Sequence, residues 1–169
     1  PDPSRAPAVA PPADVGAAPV EVRLCALTDV GRTREHNEDA FLAADLSAEA
    51  PFEFGEDAAV VERALRTDAT RRDGALLLLV ADGLGGAAAG ELASRMAVRE
   101  VHAALRARLA AATGSELAFA TALRDATQAA NAAIHAYAAT HAEVRGMGTT
   151  LTAAALRGDT LFLAQVGDS

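Results

Sequence analysis

A short, unbroken apolar segment constrains the fold of this chain more than any other feature. Leu76–Val80 is flanked by alanines and is followed at once by Asp82 and Gly83. An apolar run of this length that ends in turn residues is typical of a fully buried strand. It is much shorter than the roughly 20 residues that a membrane-spanning helix needs. The sequence therefore predicts a buried strand that leads into an open loop containing Gly85, Gly86 and Gly90.

Two long amphipathic helices are predicted after this loop. In the first, Ala88–Leu109, apolar side chains recur at near-helical spacing. Thr113 and Glu116 resemble a capping box that opens the second helix. One apolar stripe of that helix comprises Phe119, Leu123, Ala126, Ala130, Ile134 and Tyr137. Because a short glycine-containing turn joins the two helices, we expect an antiparallel pair packed on a sheet.

Further strands are predicted on both sides of the helices. Glu21–Thr28 carries Val22, Leu24 and Ala26 on one face, as in a half-buried strand. Other predicted strands are Ala40–Ala44, Thr149–Leu156 and Thr160–Val166, the last two joined as a hairpin by Arg157-Gly158-Asp159. Leu46–Gly74 is interpreted as an insertion that contains a short helix, Ala58–Arg66. Residues 1–20, rich in Pro and Ala, are interpreted as a flexible leader.

Composition excludes several classes of protein. A hydrophobic fraction of 51% is too high for a disordered chain, and 169 residues suit one domain. The net charge of -8 argues against a nucleic-acid binder, although a bound cation can still let an acidic protein handle phosphate. The single cysteine, Cys25, allows no internal disulfide, so a reducing, cytoplasmic location is expected. No signal peptide and no membrane insertion are predicted.

Three polar clusters lie where strands are predicted to end or begin. They are Arg34–Asp39, Asp82–Gly86 and Gly167–Ser169. Strands of a layered β structure place their ends along common rims, so clusters that are distant in sequence can converge. Carboxylates beside glycines suit Mg²⁺ or Mn²⁺, which prefer oxygen ligands. Asp82-Gly83 alone is most often a turn, so a metal site depends on this convergence.

The ordered clusters resemble the motifs of the metal-dependent serine/threonine protein phosphatases of type 2C, especially the bacterial form. The segments that carry the resemblance are Arg34–Ala40, Asp82–Gly86 with Gly90–Ser94, Gly146–Leu151 and Gly167–Ser169. They occur in the family's order, and the resemblance covers roughly Glu21 to the last residue. Residues 21–169 are therefore interpreted as the N-terminal part of such a domain.

The resemblance implies an α+β fold, in which two antiparallel sheets are flanked by antiparallel helix pairs in an α-β-β-α layered sandwich. It implies that Asp82 bridges two Mn²⁺ or Mg²⁺ ions and that the Gly83 carbonyl binds one. Glu38 and Asp39 are expected to hold the metal directly or through water. Arg34 is expected to grip the substrate phosphate, and Asp168 to belong to a weaker third metal site.

The activity that the resemblance implies is hydrolysis of phosphoserine and phosphothreonine in proteins by a metal-activated water. The expected partners are phosphorylated substrates of a cognate Ser/Thr kinase. Leu84 departs from the many relatives that have His there as a proposed general acid. The family's later acidic motifs would follow Ser169, so we expect this fragment alone to be inactive and to aggregate or unfold partly.

Two other functions remain open at this point. A non-catalytic phosphatase-like module would serve binding or sensing, although the retention of Arg34, Glu38, Asp39 and Asp82 speaks against it. The second alternative is a phosphatase that a partner protein switches on or off in a sigma-factor pathway. His102, His135 and His141 fall in the helical region and are interpreted as surface or packing residues. Gly148, Thr149 and Thr150 are interpreted as structural residues that position a core strand.

Overall fold

The computed structural model describes residues 20–47, 52–54, 61–67, 75–109 and 114–168. The strands are β1 (Val20–Ala26), β2 (Asp39–Asp45), β3 (Phe52–Phe54), β4 (Val61–Thr67), β5 (Leu76–Leu84), β6 (Gly148–Thr149), β7 (Leu151–Arg157) and β8 (Thr160–Val166). The helices are α1 (Ala87–Leu109) and α2 (Glu116–Thr140), followed by a 3-10 turn, Ala142–Val144. The leader predicted over residues 1–20 lies outside the described residues, except that Val20 begins β1.

A six-stranded antiparallel sheet forms the centre of the described structure. Its order is β3-β2-β5-β7-β8, with β6 paired to the end of β5. Leu77, Leu79 and Ala81 of β5 are buried in one core with residues of both helices. Alternate residues of a strand point to opposite faces, and on the other face Val80 is 55% exposed. The prediction of a fully buried Leu76–Val80 strand is therefore wrong at Val80, although Leu76 on the same face is 3% exposed.

The two predicted helices are confirmed, and they pack against each other and against one face of the sheet. The stripe of α2 is buried from Phe119 to Ile134, and Tyr137 packs partly buried against the same core. The predicted cap at Thr113 is wrong. Ser115 is the N-cap, because its extended backbone lets its hydroxyl accept the amide hydrogen of Ala118 at 3.1 Å.

The described part of the predicted insertion forms strands. Val61–Thr67 pairs antiparallel with all of β1, from Val20↔Thr67 to Ala26↔Val61, so the helix predicted over Ala58–Arg66 is wrong. Val61 and Leu65 have helical spacing, but hydrogen bonding to β1 overrides this local pattern. The predicted face of β1 is confirmed, since Val22, Leu24 and Ala26 are all half-buried.

The predicted C-terminal hairpin is confirmed, with Arg157 inside β7 rather than in the turn. The Arg157 guanidinium lies 5.2 Å from the ring centre of Phe119 and donates a hydrogen bond to the Ser115 carbonyl, which ties the hairpin to the start of α2. The mixed α and β class is thus confirmed. The second helix layer of the predicted four-layer sandwich is not tested and stays a prediction. Neither helix in the described segments has the length and hydropathy to cross a membrane.

Candidate metal site

Two carboxylates face each other at one end of the β2–β5 ladder. Asp39 and Asp82 are direct partners in the register. Direct partners in an antiparallel pair have their side chains on the same face, with Cβ atoms about 4.5–5.5 Å apart. The sequence placed Asp82 after its strand, which is wrong. The strand continues to Leu84, because β6 pairs with Gly83 and Leu84.

The environment of this pair raises the pKa of Asp39 above its ordinary value of 3.8. Partial burial of the carboxyl is the main cause, and the charge and hydrogen bond of Asp82 act in the same direction. Arg34 and a hydrogen bond with Thr28 oppose the rise. The two carboxylates therefore repel each other, and a cation between them would relieve that repulsion.

Apolar residues lie beside Asp39. A pocket of about 330 Å³ lies between β1 with its following loop and the sheet. Among its lining residues, Thr28 and Asp39 carry the polar side chains; the apolar ones include Leu24, Phe41, Leu78 and Val80. An apolar wall beside a carboxyl group disfavours its charged form.

Arg34 and Glu38 form an ion pair beside the carboxylates. Arg34 Nη1 donates to Glu38 Oε2 at 2.9 Å, and the Arg34 side chain stays 63% exposed. The Glu38 side chain is only 12% exposed and lies against Gly90 in the first turn of α1. The loop thus places one exposed guanidinium close enough to Asp39 to lower its pKa. The predicted roles of Arg34 with phosphate and of Glu38 with metal stay predictions.

Gly83 lies at a close contact between β5 and the first turn of α1. A Cβ atom at this position would lie 2.0 Å from the carbonyl oxygen of Gly90 and 2.8 Å from that of Glu38. The Gly83 amide donates to the Glu38 carbonyl at 3.1 Å. This packing explains the glycine at position 83, while its carbonyl as a metal ligand stays a prediction.

Two groups of polar residues that the sequence did not assign to the site hold the backbone of the two aspartates. The buried Thr28 hydroxyl accepts from Asn37 Nδ2 at 2.8 Å, and Asn37 Oδ1 accepts from the Asp39 amide at 3.1 Å. Thr149 and Thr150 bond to the backbone of Asp82. Their motif was visible in the sequence, but only the pairing of β5 with β6 shows what they contact.

The chain also brings its last described residues to this end of the sheet. Gly167 has a φ of +90°, and a Cβ atom there would lie 2.9 Å from Cγ2 of Thr150. Asp168 follows directly and is exposed. The segment leading to Asp168 therefore lies near the Asp82 strand, and the role of Asp168 at a third metal stays a prediction.

The chemistry of the donor atoms fits a hard divalent cation. Opposed carboxylates and nearby backbone carbonyls are oxygen ligands, which Mg²⁺ and Mn²⁺ prefer. Across the described segments, no group of three or more His, Cys, Asp or Glu side chains is arranged to hold a metal. The part of the chain described here thus supplies two opposed carboxylates and no larger ligand cluster.

Comparison with known proteins shows which family this chain resembles. The sequence profile of the protein phosphatase 2C family matches residues 58–169. The serine/threonine phosphatase stp of Listeria monocytogenes is 36% identical over 142 residues, which is 84% of this chain and 46% of that protein. The serine/threonine protein phosphatase PstP of Mycobacterium tuberculosis is 43% identical over 96 residues, which is 57% of this chain and 18% of that protein.

Solved structures of bacterial phosphatases also resemble this chain. The crystal structure of the M. tuberculosis serine/threonine phosphatase PstP/Ppp aligns with a TM-score of 0.52 and 30% identity, covering 89% of this chain and 47% of that one. A bacterial serine phosphatase that bears a point mutation aligns with a TM-score of 0.59 and 25% identity, covering 90% and 55%. The chain spans about half the length of these relatives. With a family profile matching over most of its length and these relatives in agreement, the chain belongs to the protein phosphatase 2C family.

Proposed function

We propose that the protein to which this chain belongs hydrolyses phosphoserine and phosphothreonine in proteins, using a binuclear Mn²⁺ or Mg²⁺ centre. The observation that carries the proposal is the register pair Asp39↔Asp82, with the exposed guanidinium of Arg34 beside it. The names of the Listeria and Mycobacterium relatives support the choice of substrate.

Each residue of the proposed site has a role that follows from its side-chain chemistry. Asp39 and Asp82 bind cations through opposed carboxylates, with the Gly83 carbonyl as a further oxygen ligand and Asp168 at a third position. Arg34 orients the substrate phosphate, because its planar guanidinium can donate two charge-assisted hydrogen bonds. Glu38 holds Arg34 in place and can bind metal through water. When bound, the divalent cations supply an activated water and neutralise charge on the phosphoryl oxygens.

The same proposal implies the partners, the location and the proton donor. The partners are phosphoproteins made by a cognate Ser/Thr kinase, and the location is the cytoplasm. Leu84 is 57% exposed at the end of β5 and has no titratable group, so the leaving-group proton must come from water or from another residue. For the complete domain we propose the four-layer α-β-β-α sandwich, because the helix pair here covers only one face of the six-stranded sheet.

The decisive experiment compares Asp82→Asn with Asp45→Asn in the intact protein. Asp45 lies at the other end of β2, on the face that Asp39 occupies, which makes it a matched control. With Mn²⁺ and a phosphothreonine peptide, we expect Asp82→Asn to lose more than about 100-fold in kcat, beyond the usual cost of an outer-shell change, while Asp45→Asn stays active.

Two results would contradict the proposal. Unchanged Mn²⁺-dependent activity in Asp82→Asn would show that the site is wrongly assigned. Phosphopeptide binding by the intact protein without any metal-dependent hydrolysis would favour the non-catalytic binding module.

A further inference from the structure

Three hydrogen bonds join the backbone of Asp82 to two adjacent threonines, Thr149 and Thr150. The Asp82 carbonyl oxygen accepts from the Thr150 amide at 2.9 Å and lies 2.9 Å from the Thr149 hydroxyl. The Asp82 amide donates to the Thr150 hydroxyl at 3.1 Å. Both peptide groups of Asp82 are thus held by the segment next to the edge of β5 that faces away from β2.

The arrangement departs from a regular antiparallel ladder in one specific way. The pairs Val80↔Thr152 and Gly83↔Thr149 share one register, which places Thr150 opposite Asp82. In a regular hydrogen-bonded pair of an antiparallel ladder, the two residues exchange both amide–carbonyl bonds. Here the Asp82 amide bonds to the Thr150 hydroxyl instead. The Thr150 carbonyl oxygen lies 2.9 Å from the Thr149 hydroxyl. Side-chain hydroxyls therefore replace part of the backbone ladder at this one position.

Asp82 consequently has a contacting residue on each neighbouring strand segment. Asp39 faces it from β2, and Thr150 holds it from the β7 side. The carboxylate is attached to this backbone by only two single bonds, so a small rotation of the peptide changes its distance from the Asp39 carboxylate. Cation affinity depends on ligand geometry held to within fractions of an ångström.

We propose that Thr149 and Thr150 are positioning residues whose hydroxyls set the affinity of the site for divalent cations by fixing the Asp82 backbone. This inference rests on the proposed function, because it assumes that Asp82 binds metal. It goes beyond that function by assigning a role in cation binding to two side chains that are not ligands.

At Thr150 the hydroxyl can be removed while the methyl group that packs under Gly167 is kept. Thr150 is 5% exposed, and its methyl group lies under Gly167, where a Cβ atom would come within 2.9 Å. Valine has the same shape as threonine and keeps a methyl group there, whereas serine keeps the hydroxyl and loses the methyl. The pair Thr→Val and Thr→Ser therefore separates hydrogen bonding from packing.

Thr152 provides a matched control on β7. Among the described residues its buried hydroxyl has no hydrogen-bond partner, and it lies two positions beyond Thr150 in the register with β5. Removing an unpaired buried hydroxyl relieves a desolvation penalty. Thr152→Val should therefore keep or raise the melting temperature and leave cation binding unchanged.

The test measures Mn²⁺ binding to the metal-free intact protein by titration calorimetry, with melting temperatures in EDTA. We expect Thr149→Val and Thr150→Val each to raise the Kd for Mn²⁺ about tenfold, as loss of an outer-shell partner typically does. Thr149→Ser and Thr150→Ser should bind close to the parent. At saturating Mn²⁺ the KM for a phosphopeptide should not change.

Three results would overturn the proposal. The first is an unchanged Kd in the folded valine variants, and the second is an equal rise in Thr152→Val. The third is a lowered melting temperature without any change in Kd, which would show a merely structural role. If Thr150→Val does not fold, the Kd of Thr149→Ala for Mn²⁺ decides instead, because Thr149 is only half-buried. A parent protein that binds Mn²⁺ but hydrolyses nothing would remove the proposed function and still leave this comparison decisive.

Discussion

At the scale of single residues, the Asp39–Asp82 pair costs the fold stability when no cation is present. The pKa of Asp39 is raised, so the folded chain holds its proton more tightly than the unfolded chain does. Stability therefore falls as pH rises from the ordinary value of 3.8 through the raised pKa. Sites of this kind give up stability for function.

The substitution Asp39→Asn tests this cost. In EDTA at neutral pH we expect the variant to melt at a higher temperature than the parent, because the cost of partly burying a charged carboxyl and the repulsion from Asp82 are both gone. The difference should shrink as pH falls through the raised pKa of Asp39 towards 3.8, where that carboxyl is protonated in the folded chain. With Mn²⁺ the parent should gain more than the variant. Asp45→Asn is the control, and a variant less stable than the parent in EDTA at neutral pH would contradict the expectation.

A second prediction at this scale concerns Arg34. Its guanidinium is exposed and bonded to the mostly buried Glu38. If it binds the substrate phosphate, Arg34→Ala in the intact protein should raise the KM for a phosphopeptide about tenfold and leave Mn²⁺ affinity nearly unchanged. Arg34→Lys should restore little, since an ammonium group cannot bond in the same planar way.

The control for Arg34 is Arg124→Ala. Arg124 also forms an exposed ion pair, with the adjacent Asp125 on α2. Exposed pairs contribute only about 0–1 kcal/mol, so this variant should behave as the parent. Equal KM values for Arg34→Ala and Arg124→Ala would show that Arg34 does not contact the phosphate.

At the scale of elements, the approach of α1 to β5 depends on two glycines. A Cβ at Gly83 would overlap the carbonyl group of Gly90, and one at Gly90 would lie 3.0 Å from the carbonyl carbon of Gly83. Backbone atoms cannot move aside as a flexible side chain can. The glycines therefore let the first turn of α1 rest directly on the strand that carries Asp82.

Gly83→Ala tests this packing. We expect it to destabilise the intact protein by about 3 kcal/mol or more in urea denaturation, the upper end of what overpacking costs. Gly148→Ala is the matched control, because no atom lies within 4 Å of a Cβ there and its backbone needs no positive φ. A loss in Gly148→Ala as large as that in Gly83→Ala would contradict the steric explanation.

At the scale of the whole molecule, part of the sheet's face opposite to the helices is apolar and exposed among the described residues. Val80, Leu161 and Leu163 lie on the face opposite to the helices and are 55%, 58% and 70% exposed. Contiguous exposed apolar surface of this kind promotes association. The 169-residue chain on its own should therefore associate as its concentration rises.

Leu163→Lys tests the origin of that association. We expect the variant to reduce the concentration-dependent rise in mass seen by size-exclusion chromatography with light scattering. Leu117→Lys is the control, because Leu117 is 78% exposed but lies at the start of α2, away from this face. Equal effects of the two lysines would attribute the association to general charge instead.

How much was predictable depends on the range of the interactions. Both helices, most strands and the buried stripe of α2 follow from local periodicity, and the structure confirms them. The helix predicted over Ala58–Arg66 was wrong because β4 is held by β1, about 40 residues away in the chain. The Ser115 cap was missed because capping depends on the φ and ψ angles of the residue as well as on its identity.

The sequence by itself determined the kinds of residue at the site, since Arg34, Asp39 and Asp82 stand in motifs that already indicated phosphate and metal chemistry. Only the tertiary structure decided their arrangement. The antiparallel register sets Asp39 opposite Asp82, and the β5–β6 pairing places two threonine hydroxyls on the Asp82 backbone. The physical reason is that strand register and backbone hydrogen bonds join residues distant in sequence, and no local pattern encodes which residues will meet.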